Sequence, residues 1–268
     1  MSAELYDELD PLYREIWGTS LHHGLWLSGR ESVEQARLQL IDHTLELLNP
    51  SGTIADIGCG YGDLSARLAN EFQCEVHACT HSTKQAKALP AHARIHRHHC
   101  DWLENNLAPG SLDQAIAIES LSHFDDFEHF AERTSRALKP GGALVIADWF
   151  GDGSSSRLLR HLARAGDLPP WRSLGDFEAA ASRQGLMTTR TLDLSREAAP
   201  TWTAMFARAL LLPFRRPSTL PKLVRQALRR PALLWSFPLL RFAYRQGALK
   251  YHLIRLEKTD KVSSRPSS

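Results

Sequence analysis

Three patterns in this 268-residue chain predict an α/β fold with helices on both faces of a mostly parallel sheet. Short apolar runs alternate with stretches that place an apolar residue every third or fourth position, as right-handed β–α–β crossovers require. One run, Ile54-Ala55-Asp56-Ile57, ends in Gly58-Cys59-Gly60-Tyr61-Gly62, so a buried strand turns sharply into a helix at three glycines and one carboxylate. A second run, Ala143-Leu144-Val145-Ile146-Ala147, follows an amphipathic helix that Lys139-Pro140-Gly141-Gly142 brings to a stop.

Residues 6–26 are rich in Tyr, Trp and His. Ser28-Gly29-Arg30-Glu31 has the S-x-x-E form of a capping box, so a helix follows, with Val33, Ala36, Leu40, Ile41, Leu45 and Leu48 as its core-facing stripe. Asn49-Pro50-Ser51-Gly52 closes that helix before the first strand. Six more strands are expected at 75–79, 93–98, 112–119, 143–147, 187–194 and 250–256, which makes seven, with helices between most of them. Residues 176–184, capped by Gly185, read as the last core helix. Residues 202–246 are then a lid inserted ahead of the final strand, which Pro213, Pro217, Pro221, Pro231 and Pro238 should break into short helices. The division expected is an N-terminal helical cap over 1–50, the main domain over 51–257 and a disordered tail over 258–268.

A chain of this length buries a proper core as one large domain. No apolar run reaches membrane-spanning length, and the polar, acidic Met1-Ser2-Ala3-Glu4 is unlike a secretory leader, so a cytoplasmic location is expected. Cys59, Cys74, Cys79 and Cys100 form no C-x-x-C pair, which favours free thiols. The net charge of +2 hides an asymmetry: between Glu197 and Glu257 there is no acidic residue but eleven Lys and Arg, interleaved with Trp202, Phe214, Trp235 and Phe242. That basic segment, 208–250, suits an anionic membrane, a phosphorylated lipid or nucleic acid, or is the solvated face of amphipathic helices.

Glycines at 58, 60 and 62 permit positive φ and let a ligand lie against bare backbone beside the unpaired N–H groups of a helix start. Their G-x-G-x-G spacing, and Cys79-Thr80-His81-Ser82 where a ribose-binding acid would follow the second strand, argue against a dinucleotide. Asp56-x-Gly58-x-Gly60-x-Gly62 resembles motif I of the class I S-adenosylmethionine (SAM) methyltransferases, and Leu138-Lys139-Pro140-Gly141-Gly142 resembles a turn common in the same superfamily. The resemblance covers nearly everything over 52–256 and implies a Rossmann-like sheet that binds SAM. It places Gly58, Cys59, Gly60 and Gly62 at the methionine part and Asp56 at its amino group.

Finer features narrow the resemblance. His22-His23-Gly24-Leu25-Trp26 is similar to the H-x-G-Y-W of tocopherol, sarcosine and cyclopropane-fatty-acid type methyltransferases, with Leu25 for the tyrosine. Thr80-His81-Ser82 with Gln85 resembles the T-L-S-x-x-Q of that group, where small hydroxyls replace the ribose-binding acid, and the same likeness puts Asp101 and Trp102 at the adenine. Glu119-Ser120-Leu121-Ser122-His123 resembles both the I-E-A-x-x-H of sterol C-methyltransferases and the E-x-x-E-H of plant N-methyltransferases, with Ser122 in place of the second glutamate. Asp148-Trp149 stands where sterol methyltransferases have an acid and a Trp. These likenesses imply an acceptor pocket that includes His23, Trp26, Ser122 and Trp149.

Methyl transfer from a sulfonium needs donor and acceptor aligned, and a base for any proton the acceptor loses. His123 is the expected base because its unperturbed pKa lies near neutrality. Glu119 is expected either to hold an acceptor hydroxyl or amine, to stabilise a cation if an alkene is methylated, or to bind the cofactor. His96-Arg97-His98-His99-Cys100 invites a metal, but a strand sends alternate side chains to opposite faces, so no metal is expected. The function expected is SAM-dependent methylation, at C, O or N, of a small lipophilic or isoprenoid-like acceptor. Two alternatives stay open: a nucleic-acid methyltransferase, which the basic segment suggests although N/D-P-P-Y/F is missing, and a SAM-binding partner subunit without catalysis, which Ser122 makes conceivable.

Overall fold

Seven strands, β1 (Thr53–Ile57), β2 (Glu75–Thr80), β3 (Ile95–His99), β4 (Leu112–Ile118), β5 (Leu138–Gly151), β6 (Leu186–Asp193) and β7 (Leu249–Lys258), form one sheet in the order β3-β2-β1-β4-β5-β7-β6. Only β7 runs antiparallel to its neighbours. The computed structural model describes residues 15–18, 22–154, 156–166, 168–219, 221, 224–225 and 231–259. Residues 1–14, the tail beyond Thr259, Lys222, Arg229, Arg230 and the Trp235 side chain lie outside that description.

Ile54 and Ala55 of β1, Ala115 to Ala117 of β4 and Ala143 to Ala147 of β5 are all buried. They are apolar in succession because helices cover both faces of the sheet. One face carries α1 (Val33–Leu48), α2 (Asp63–Glu71), α5 (Arg157–Ala165), and the lid helices α8 (Pro200–Arg215) and α9 (Pro231–Arg245). The other carries α4 (Phe127–Ala137) and α6 (Leu174–Arg183), whose Phe130 and Phe177 rings meet edge to face 6.1 Å apart. Two short helices, α3 (Thr83–Ala88) and α7 (Ser195–Ala198), follow β2 and β6.

Local details depart from the sequence expectations in four places. The capping box of α1 is Ser32 with Gln35, one turn after the expected Ser28 and Glu31; Glu31 instead accepts from the Ser28 N–H at 2.7 Å. β5 begins at Leu138 and absorbs Lys139 to Gly142 as an irregularity in its pairing with β4, because the proline lacks the N–H a regular ladder would use. Pro213 and Pro238 sit inside α8 and α9 and do not end them, so the lid is built on helices of 16 and 15 residues. Finally, α5 lies in a stretch where no helix was expected; Leu159 and Leu162 bury its inner side.

Candidate functional site

The C-terminal ends of β1, β2 and β4 surround a cavity of about 360 Å³, within the range of small-molecule sites. Asp56, Gly58, Cys59, Gly60, Thr80, His81, Gln85, Asp101, Trp102, Glu119 and His123 line it; of the expected cofactor set only Gly62 is absent.

The three glycines have three different reasons. Gly60 has φ 56°, and a Cβ built on it would meet nothing within 4 Å, so its bare side faces open space. Gly58 (φ 73°) is needed because a Cβ there would lie 2.5 Å from Ser120 Cβ. Gly62 (φ 83°) would collide with Leu89 and Pro90 at 2.8 Å, so it permits α3 and the loop after it to close against the turn. The Gly58 and Cys59 N–H groups both donate to the Cys79 carbonyl at 2.9 Å, and Ser120 Oγ donates to Ile57 O at 2.7 Å. These bonds tie the glycine turn to β2 and to the end of β4.

Around this turn the polar side chains hold one another. Asp56 accepts from Ser65 Oγ at 2.6 Å, and burial pushes its carboxyl up to about 6 against that bond. Thr80 donates to Gln85 Oε1 at 2.6 Å, and Ser82 caps α3. Asp101 accepts from Leu103 N at 2.9 Å, while the Trp102 indole is buried and donates to Thr134 Oγ1 at 2.9 Å. His22, in the segment that the resemblance sets over the cofactor, lines the same space, and its Nε2 is buried with no hydrogen-bond partner among the described residues. Cys79, Cys100, Tyr61 and Phe124 also line it. A cavity of this size, with a glycine cradle open on its inner side and an unsatisfied buried nitrogen beside it, fits a polar ligand such as SAM.

Glu119 closes the cavity on the β4 side, in the left-handed region at φ 51°, a conformation that costs energy in a non-glycine residue and clusters at functional sites. Its backbone N–H is held by Ala147 O at 2.8 Å. Its carboxylate turns away from the glycines toward the N-terminal segment: Oε1 accepts from the His23 backbone N–H and from Tyr251 Oη at 2.9 Å, and Oε2 lies 2.9 Å from His23 Nδ1. Burial would raise this carboxyl, but the charge and hydrogen bonds of His23, with a smaller contribution from His22, outweigh it and hold the group below its usual range. His23 is wholly buried, with Tyr244 Oη 3.3 Å from its Nε2 and the rings of Trp149 and Trp202 at 5.3 and 5.0 Å. Trp149 and Trp202 stack at 5.4 Å. The result is an aromatic compartment between Glu119 and the lid.

Among the residues expected at the acceptor, His23 is therefore the hub of this compartment. Trp149 forms part of its wall and also donates from Nε1 to Ser122 Oγ at 3.0 Å. Ser122 and Trp149 line a second, smaller cavity of about 130 Å³ with Asp148 and Trp171. Trp26 is half-buried, and its N–H is held by Glu197 O at 2.9 Å. Asp148 accepts from the Ser122 and Trp149 N–H groups at 3.1 and 2.8 Å; burial, and then the charge of Glu119, push it up to about 7. His123 lies in the cofactor cavity, and burial, with further lowering from the nearby His81, pushes it down to about 3. The neutral-range pKa that recommended it as a base is lost. The histidine run lands elsewhere: His77 Nδ1 and His98 Nε2 are 2.9 Å apart and His96 stacks on His77. Among the described residues no group of three or more His, Cys, Asp or Glu is arranged to hold a metal.

Known proteins resemble this chain in sequence and in fold. Residues 54–142 match a family described as a methyltransferase domain. A probable chloroplastic tocopherol O-methyltransferase of Oryza sativa subsp. japonica is 27% identical over 96% of this chain and 78% of its own. The crystal structure of a putative sarcosine dimethylglycine methyltransferase from Galdieria sulphuraria superposes with a TM-score of 0.81 at 20% identity, covering 95% of this chain and 99% of that one. Geranyl diphosphate C-methyltransferase from Streptomyces coelicolor A3(2), solved with Mg2+, geranyl-S-thiolodiphosphate and S-adenosyl-L-homocysteine (SAH), superposes with a TM-score of 0.73 at 18% identity, covering 93% and 92%.

Proposed function

We propose that the chain is a class I SAM-dependent methyltransferase, as its methyltransferase-domain match and its likeness to tocopherol O-methyltransferases support, and that it methylates a small lipophilic acceptor held between Glu119 and the lid helices. The observation that carries this reading is the position of Glu119: one side chain lines the cofactor cavity and anchors the aromatic compartment beside it. Bound SAM supplies an electrophilic methyl group on a sulfonium. The chain's own residues do the rest. Gly60 gives the methionine part access to bare backbone, Gly58 lets the turn close against Ser120 beside it, and Asp56 is the acceptor for its amino group. Thr80, His81 and Gln85 face the ribose, and Asp101 and Trp102 the adenine.

On the acceptor side the rings of His23, Trp149, Trp202, Tyr244 and Tyr251 favour an apolar molecule and keep water out. Tyr251 and Tyr244 have their hydroxyl pKa values raised by burial, then by Glu119 and Asp148, so both stay protonated donors. Glu119 and His23 are the pair we assign to the acceptor's proton or to a developing positive charge, because they are in contact at 2.9 Å and ordered by Tyr251. His123, neutral at pH 7 and a weak base, shapes the cofactor cavity. A cytoplasmic location is part of the same proposal.

The test is a SAM-dependent assay across isoprenyl diphosphates, phenols, amines and unsaturated lipids, read by mass spectrometry. The reading expects one added methyl on a lipophilic acceptor with stoichiometric SAH. Methylation confined to oligonucleotides, or SAH binding with no transfer to any acceptor, would replace it with the nucleic-acid or non-catalytic reading.

A further inference from the structure

The lid helices have a second face. On α8, Trp202, Met205 and Leu212 are buried, while Thr203, Ala207, Leu210, Leu211 and Phe214 are exposed and fall at helical spacing along one side. Phe214 is 84% exposed, Leu210 57% and Leu211 47%; on α9, which packs against α8, Phe242 is 49% exposed. Scattered apolar side chains on a surface need no explanation, but a row of large ones on two neighbouring helices does.

The charge that this segment itself carries is of one sign. No Asp or Glu occurs anywhere over 198–256. Arg208 and Arg216 are neutralised by Glu34 and Glu15. Arg215 and Arg245 are exposed, and no ion pair engages either of them among the described residues. A solvated helix face would balance its charges and carry few exposed rings. A polyanion in water would use the arginines but not Phe214 and Leu210. An anionic lipid surface uses both, since apolar side chains enter the headgroup boundary and cations meet the lipid charge.

We propose that the outer face of α8 and α9, centred on Leu210, Phe214, Arg215, Phe242 and Arg245, docks this enzyme on an anionic membrane surface. The inner faces of the same two helices supply Trp202, Phe237 and Tyr244 to the core over the Glu119 compartment. Docking therefore sets the acceptor compartment against the lipid, where a lipophilic acceptor is concentrated. That consequence rests on the acceptor class proposed above; the docking itself does not.

Co-sedimentation of the full chain with vesicles of phosphatidylcholine alone, and of phosphatidylcholine mixed with phosphatidylglycerol, tests the docking. Partitioning is expected onto the anionic vesicles at low salt, falling as ionic strength rises. Leu210→Ser with Phe214→Ser, and separately Arg215→Glu with Arg245→Glu, should each lower it by about tenfold or more. Both variants should bind SAH as the unmodified chain does, which shows that they are folded and keeps this test apart from the methyltransferase reading. Equal partitioning onto neutral and anionic vesicles, no response to either variant, or a dimer in solution that Phe214→Ser dissociates would overturn the proposal, the last by showing that a second copy covers this face.

Discussion

The two halves of the site are built on opposite principles. The cofactor half is mostly local: Asp56 to Gly62, Thr80 to Gln85 and Asp101-Trp102 are three short stretches at adjacent strand ends, each with a side-chain bond to a residue nearby in sequence and tied to its neighbours by a few longer-range ones, and they leave an open cavity. The half proposed for the acceptor is assembled across the whole chain: Glu119 meets a residue 96 positions before it and another 132 after it, and His23 meets one 221 positions away, all packed without comparable open space. The lesson is that a site built on strand-end turns can be assembled locally, whereas a buried aromatic compartment draws its walls from segments far apart in the chain.

Glu119→Gln should break the acceptor half most. The amide keeps the shape but removes the charge, so single-turnover methyl transfer should fall about 10²- to 10³-fold while the SAH dissociation constant stays within a factor of about three. Equal losses in both would place Glu119 in the cofactor half. Gly62→Ala tests the other half in the currency of stability, because its Cβ would sit 2.8 Å from Leu89 and Pro90 at φ 83°. Denaturant unfolding should show a loss of about 1–3 kcal/mol, with SAH affinity of the folded protein unchanged.

Tyr251→Phe removes one donor from Glu119 and leaves the ring in place. A loss of roughly tenfold in turnover is expected; an unchanged rate would mean that His23 alone orders the carboxylate. The smallest effect belongs to His123, whose folded pKa of about 3 lies below the 6.5 of the unfolded chain. The unfolded state therefore takes up its proton first, and stability falls as pH drops from about 6.5 toward 3. His123→Gln should flatten that decline, on the order of 1 kcal/mol between pH 7 and pH 5 once its partial exposure is allowed for. Identical denaturant midpoints for both proteins at pH 5 relative to pH 7 would show that His123 is not held neutral.

The same contrast explains what was legible in the sequence. The alternation of element types and the glycine turn carry their signal within a few residues, so spacing revealed them, while Thr80, Gln85 and Asp101, which line the same cavity, were found through short motifs that resemble a known family. The role of His23 was visible only as a likeness. The roles of Tyr244, Tyr251 and Trp202 had no local signal at all, since nothing in a strand such as Lys250-Tyr251-His252 marks which ring reaches across the sheet to Glu119. The expectation for His123 rested on the unperturbed pKa that a sequence gives, whereas burial pushes the group down to about 3. The capping box slipped by one turn because Ser28-Glu31 and Ser32-Gln35 present the same pattern, and only the backbone decides which serine is extended at the helix start.

The central claim, that the open side of the glycine turn is the SAM site, is tested most directly by calorimetry of SAH with the unmodified chain and with Gly60→Val. A branched side chain at φ 56° would enter the space that Gly60 leaves open. The account predicts tight binding to the first and a loss of about a hundredfold or more for the second, with its cooperative thermal unfolding retained. Equal affinity of SAH for the two proteins would contradict it.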